Sequence, residues 1–175
     1  MYNMLRNFEQ FNTITHPSNT AETYNVVLNS NLSTGTPTDA QFNFDWSVLP
    51  DKNYLVHYSF NSSNMSIASG KVCLISSDLF SNSNTFIAGA QTSRTSAQSS
   101  NILGVAYPYI YGAVSALHAD DSTAPPIYIN TRPNNNQFSI HIKTADATGV
   151  AYPNLAEWVL ILNFTPVDKT GRVLL

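Results

Sequence analysis

The chain has 175 residues, a net charge of −3, only 11% charged residues and a single cysteine. A length in this range fits one domain, which buries roughly 68–70% of the surface of its unfolded chain and needs no covalent staple. One cysteine excludes an intramolecular disulfide. The eight basic residues (Arg6, Lys52, Lys71, Arg94, Arg132, Lys143, Lys169, Arg172) are scattered along the sequence, which argues against direct nucleic-acid binding, because that needs adjacent phosphates neutralised together.

Residues 1–20 carry Phe8, Phe11 and Ile14 among Asn, Thr and Pro without a clean period, and read as an extended N-terminal arm on a single domain spanning 1–175. The stretch from Met1 to Phe8 lacks the apolar centre of a secretory signal, so export by the usual route is not expected. From Thr23 onward, short apolar runs recur at intervals typical of an all-β domain: 23–28, 41–48, 54–60, 71–76, 85–88, 102–107, 109–117, 127–130, 137–144 and 158–165. Phe42, Phe44 and Trp46 alternate with Gln41, Asn43 and Asp45, and Phe138, Ile140 and Ile142 alternate with Ser139, His141 and Lys143. Successive side chains on a strand point to opposite faces, so a period of two puts one set into a core and the other into water.

Turn clusters separate the runs: 33–37 (Ser-Thr-Gly-Thr-Pro), 50–53, 61–64, 133–136 and 145–154. The Ser, Thr and Gln-rich stretch 91–100 reads as a long exposed loop. In the last run Val159 and Ile161 are apolar opposite the Trp158, Leu160, Leu162 and Phe164 face, which predicts a strand covered on both sides. The run from Trp158 to Leu162 is far too short to span a bilayer. The expected fold is an all-β single jelly-roll sandwich of about eight to ten antiparallel strands.

Chemistry-bearing residues are sparse. His16, His57, His118 and His141 have no paired spacing, and no acidic or cysteine residue stands at metal-ligand spacing from them, so no metal or cofactor is expected. Asp120 and Asp121 are neighbours whose side chains diverge on extended chain, and they read as part of a turn. Cys73, inside Val72-Cys73-Leu74-Ile75, reads as a small buried hydrophobe. Sequon patterns at Asn31, Asn61, Asn64 and Asn163 are what chance gives in a chain about one-third Asn, Ser and Thr. No nucleophile elbow, phosphate loop or zinc-protease motif occurs, and no enzymatic activity is expected. Tyr107-Pro108-Tyr109-Ile110-Tyr111 reads as core or interface filling, with a sugar-stacking groove as the alternative.

Four segments taken in order, 42–50 (Phe-Asn-Phe-Asp-Trp-Ser-Val-Leu-Pro), 54–60 (Tyr-Leu-Val-His-Tyr-Ser-Phe), 124–133 (Ala-Pro-Pro-Ile-Tyr-Ile-Asn-Thr-Arg-Pro) and 158–167 (Trp-Val-Leu-Ile-Leu-Asn-Phe-Thr-Pro-Val), resemble single-jelly-roll minor capsid and penton proteins of large icosahedral double-stranded DNA viruses. The resemblance covers about residues 20–168. It implies a structural virion protein that packs with itself and with a major capsid protein, located in the capsid, and it transfers no site residues. The chain is about half the length of a double jelly roll, so it is not expected to form the main lattice. The alternative function is a carbohydrate- or receptor-binding jelly-roll module.

Overall fold

The computed structural model describes residues 22–63, 72–80, 86–87, 98–99, 102–111, 114–119, 126–144, 155–168 and 172–173. The arm over 1–20, His16, Asp120, Asp121, most of the 91–100 loop and all of the 145–154 turn lie outside the described residues. Twelve strands and no α-helix occur among those described: β1 (Tyr24–Asn29), β2 (Thr34–Thr36), β3 (Asp39–Asn43), β4 (Asn53–Ser62), β5 (Cys73–Ser77), β6 (Phe86–Ile87), β7 (Gln98–Ser99), β8 (Ile102–Tyr111), β9 (Val114–Ala119), β10 (Ile127–Ile129), β11 (Gln137–Thr144) and β12 (Trp158–Val167).

The two-residue period becomes burial directly. In β4, Tyr54, Val56, Tyr58 and Phe60 are buried while Leu55, His57 and Ser59 are half-buried on the other face. In β12, Trp158, Leu160, Leu162 and Phe164 point inward and Val159, Ile161, Asn163 and Thr165 outward. Val159 and Ile161 are half-buried on that outer face.

Early strands pair with late ones. β1 runs antiparallel to β12 with Val26 opposite Leu162, β3 to β11 with Phe42 opposite Phe138, β4 to β10 with Val56 opposite Ile127, and β5 to β8 with Cys73 opposite Ala106. The ribbon so formed folds over on itself, because β12 also pairs with β4 along its whole length and β11 also pairs with β5. One sheet runs β1-β12-β4-β9-β8, with β10 beside the start of β4, and the other β8-β5-β11-β3-β2. This is the double Greek-key winding of a jelly roll.

β8 belongs to both sheets. Its residues up to Ala106 pair with β5, and from Tyr107 onward they pair with β9. One strand thus turns the corner of the sandwich. Pro108 was expected to separate two runs, but the strand passes through it; a proline lacks an N–H and is tolerated where the ladder changes partners. The run 41–48 is also shorter as strand than expected. It ends at Asn43, and Trp46–Val48 form a 3-10 turn whose Asp45 cap accepts the Ser47 N–H at 2.9 Å. A hydrogen bond from the Ser47 hydroxyl and, after it, the one from the Ser47 N–H hold the Asp45 carboxyl below its ordinary range.

The strands beyond the expected eight to ten are short ones. β2 lies in an expected turn and forms the edge of its sheet, where Gly35 adopts a φ of 95° and a Cβ would meet the Asp39 carbonyl oxygen. The β6–β7 ribbon puts Gln98–Ser99, expected as loop, opposite Phe86–Ile87.

The core between the sheets is aromatic. Trp46 contacts Phe44, Phe138 and Phe164, and its indole N–H donates to the Asn135 carbonyl at 3.1 Å. Buried hydroxyls are used in the same way: Ser30 Oγ accepts the Trp158 N–H and Ser62 Oγ the Leu117 N–H, which leaves these groups satisfied away from water. Cys73 is fully buried, as expected, and burial pushes its thiol up to about 12 from the ordinary 9.0. Because the folded value is the higher one, the stability held by the protonated thiol is complete below about pH 9 and is lost as pH rises toward 12. Native protein at pH 8 is therefore expected to resist a thiol reagent, with one equivalent reacting after unfolding in urea; rapid native labelling would contradict this burial.

Candidate functional site

Chemistry on a β sandwich has to come from what the two outer faces present, since the inner faces are consumed by the core. The outer face of the β1–β12–β4 sheet is built by register. Asn29, Val159, Asn61, His118 and Tyr107 form one row across five strands. Val27, Ile161 and Ser59 form the next, then Asn25, Asn163 and His57, then Thr165, Leu55 and Tyr128. Directly opposed side chains on one face lie within contact distance, so each row is a continuous strip.

Four large hydrophobic residues stand out from this face: Val27 is 60% exposed, Tyr107 50%, Tyr109 63% and Tyr128 40%. Of the expected roles, core or interface filling, this exposure excludes the core for Tyr107 and Tyr109. They follow the corner at Ala106, after which Tyr107 and Tyr109 turn outward. His118 Nδ1 lies 2.8 Å from the Asn61 side-chain oxygen, which accepts the ring N–H. The row through Tyr107 thus contains a fixed polar pair beside an exposed ring.

The other outer face differs in charge. Asp39, His141 and Lys143 lie on it, and His141 Nδ1 is 3.0 Å from the Asp39 carboxylate. Both groups of that pair are substantially exposed, a setting in which an ion pair contributes little stability. A shallow groove of about 600 Å³ crosses this side, lined by Leu32, Gln41, Asn43, Asp78, Gln137 and Ser139 among others. Asp78 accepts the Ser139 N–H at 2.7 Å.

His16 lies outside the described residues, and the three described histidines stand on three different strands. His57 is half-buried on the outside of β4, His118 is exposed on β9, and His141 lies on the opposite sheet. Among the described residues no three of His, Cys, Asp and Glu come together as a metal-holding group, and no helix is long and apolar enough to cross a membrane. Sequence reasoning left open whether Tyr107 and Tyr109 are exposed and did not single out Tyr128; the run Tyr-Pro-Tyr was the available signal for the first two, since proline favours strand margins and corners. No protein-family model matches the chain, and no curated protein matches it.

Proposed function

We propose that this chain is a non-enzymatic structural protein of a virion, a minor capsid or penton (vertex) subunit that assembles with itself and with a major capsid protein in the capsid. The observation that supports it most is the single jelly roll whose one outer sheet face carries exposed Val27, Tyr107, Tyr109 and Tyr128 in rows of amides and hydroxyls. Such surface has aromatic anchors and few groups that are costly to desolvate, which is the make-up of a packing interface. The described parts of the four resembling segments fall on the Asp45-capped turn, β4, β10 and β12.

A second reading, a carbohydrate-binding module, is favoured by Tyr107 and Tyr109 standing exposed on one side of β8, because exposed rings can stack on sugar faces. One set of measurements separates the two. Purified particles are expected to contain this chain at a fixed copy number, ringed at the vertices or lining the inner shell in a reconstruction, and the isolated protein is expected to be silent on a glycan array. Absence from purified particles, with glycan binding that disappears in Tyr109→Ala, would reverse the order of the readings.

A further inference from the structure

The outward positions described above share one chemical property. Asn25, Asn29, Asn61 and Asn163, Ser59 and Thr165, His57 and His118, Tyr107 and Tyr128 all have side chains that both donate and accept hydrogen bonds when neutral. The remaining positions, Val27, Leu55, Val159 and Ile161, are apolar. No Lys or Arg, which only donate, and no Asp or Glu, which only accept when ionised, stands among these rows. Among the described residues, Glu157 just before β12, and Asp168 and Arg172 after it, stand at the ends of this face. The opposite sheet face holds Asp39 and Lys143 on adjacent strands.

A surface that meets its own copy across a two-fold axis places the same patch on both sides. A lone charge in it is either desolvated or brought toward its twin, and a donor-only group near the axis faces another donor. A face of dual-role groups around an apolar strip avoids both penalties. Its size also fits. The four rows hold fourteen outward positions, and at about 4.8 Å by 6.8 Å for each they give a plan area of about 460 Å². With side-chain relief added, this approaches the roughly 600 Å² per partner at the lower end of the standard range. Charged ends around an uncharged centre match the rim and core of such interfaces.

We propose that the outer face of the β1–β12–β4 sheet is a self-complementary interface whose occupant is a second copy of this chain, with Val27, Ile161 and Val159 at its apolar centre. The inference deepens the assembly reading, on which it rests for its purpose but not for its test. The test is the oligomeric state of the full chain, measured by sedimentation across a concentration series. Wild type is expected to dimerise. Val27→Asp and the isosteric Asn25→Asp each place a charge in the face twice per dimer, and the dimer is expected to weaken by at least about 100-fold, since burying an unpaired charge costs several kcal/mol. Lys143→Glu, on the other sheet, should leave it unchanged.

Both tested positions are exposed, and far-UV circular dichroism checks that each variant is folded. Asn25→Asp changes no shape, so it retains the test if Val27→Asp fails to fold. A wild type that stays monomeric, or a dimer indifferent to both variants, would overturn the inference. Such a result with the chain present in purified particles would leave the virion reading standing; dimers that respond as expected, from a chain absent from particles, would sustain the interface and sink the virion role.

Discussion

Replacing Trp158 by alanine is expected to lower the stability of the fold by about 3–5 kcal/mol, the range for deleting a fully buried large aromatic. Trp158 is 1% exposed and sits where the two sheets meet. Its ring lies 5.9 Å from Phe42 on β3 of one sheet and 5.7 Å from Phe60 on β4 of the other. The indole N–H donates to the Pro37 carbonyl at 2.6 Å, in the turn before β3. Removing the side chain therefore opens a cavity, loses aromatic contacts on both sheets and strands an acceptor. Against a total of about 5–15 kcal/mol for a typical domain, that loss is a large fraction of the whole. In a thermal melt at fixed protein concentration the midpoint should fall by roughly 6–20 °C, taking 2–4 °C per kcal/mol for a chain of this size. Trp158→Phe should fall between the two, because it retains a ring but leaves the Pro37 carbonyl without its donor. A Trp158→Ala variant melting within a degree or two of wild type would show that the sheets are not joined through this ring.

Gly104→Ala is expected to destabilise the protein by about 1–3 kcal/mol or more, the cost of overpacking a filled core. Tyr58 on β4 extends across the sandwich to β8, and a Cβ built on Gly104 would lie 1.5 Å from the Tyr58 hydroxyl oxygen and 2.1 Å from the ring carbon that bears it. The glycine is thus there to admit another residue's side chain. Its backbone has no positive φ to demand it. Removing only the hydroxyl, as in Tyr58→Phe, leaves the ring in the way, so it should not rescue Gly104→Ala fully. Tyr58→Leu, which withdraws the ring tip, should. The double variant Tyr58→Leu with Gly104→Ala is therefore expected to be more stable than the sum of the two single losses predicts, as for residues in direct contact. Strict additivity in urea unfolding would place the clash elsewhere.

Much of this architecture is legible in single segments. Gln137–Thr144 was predicted with the bounds that β11 has, and Trp158–Val167 extends its predicted run by two residues. Burial of Cys73 follows from its apolar neighbours. Phe42, Phe44 and Trp46 all pack at the core as their alternation requires, although the backbone leaves the sheet before Trp46. There, the Asp45 side chain offers Ser47 a local hydrogen bond that competes with the ladder. The break expected at Pro108 failed for a similar reason: local chemistry marked a change in pairing partner and not the end of the strand.

The outer face that carries the interface reading was the least legible part. Asn25, Asn163 and His57 are separated by up to 138 positions, and only the β1–β12–β4 register puts them in one row. Period-two alternation is a property of neighbouring residues, so the sequence by itself determined that the chain would be all-β, which residues would be inward, and that its surface would be poor in charge. Which strand lies beside which depends on contacts between distant segments, and the tertiary structure alone decided that β8 turns the corner, that Tyr107 and Tyr109 emerge on the outside, and that uncharged dual-role side chains gather on one sheet face while Asp39 and Lys143 stand on the other.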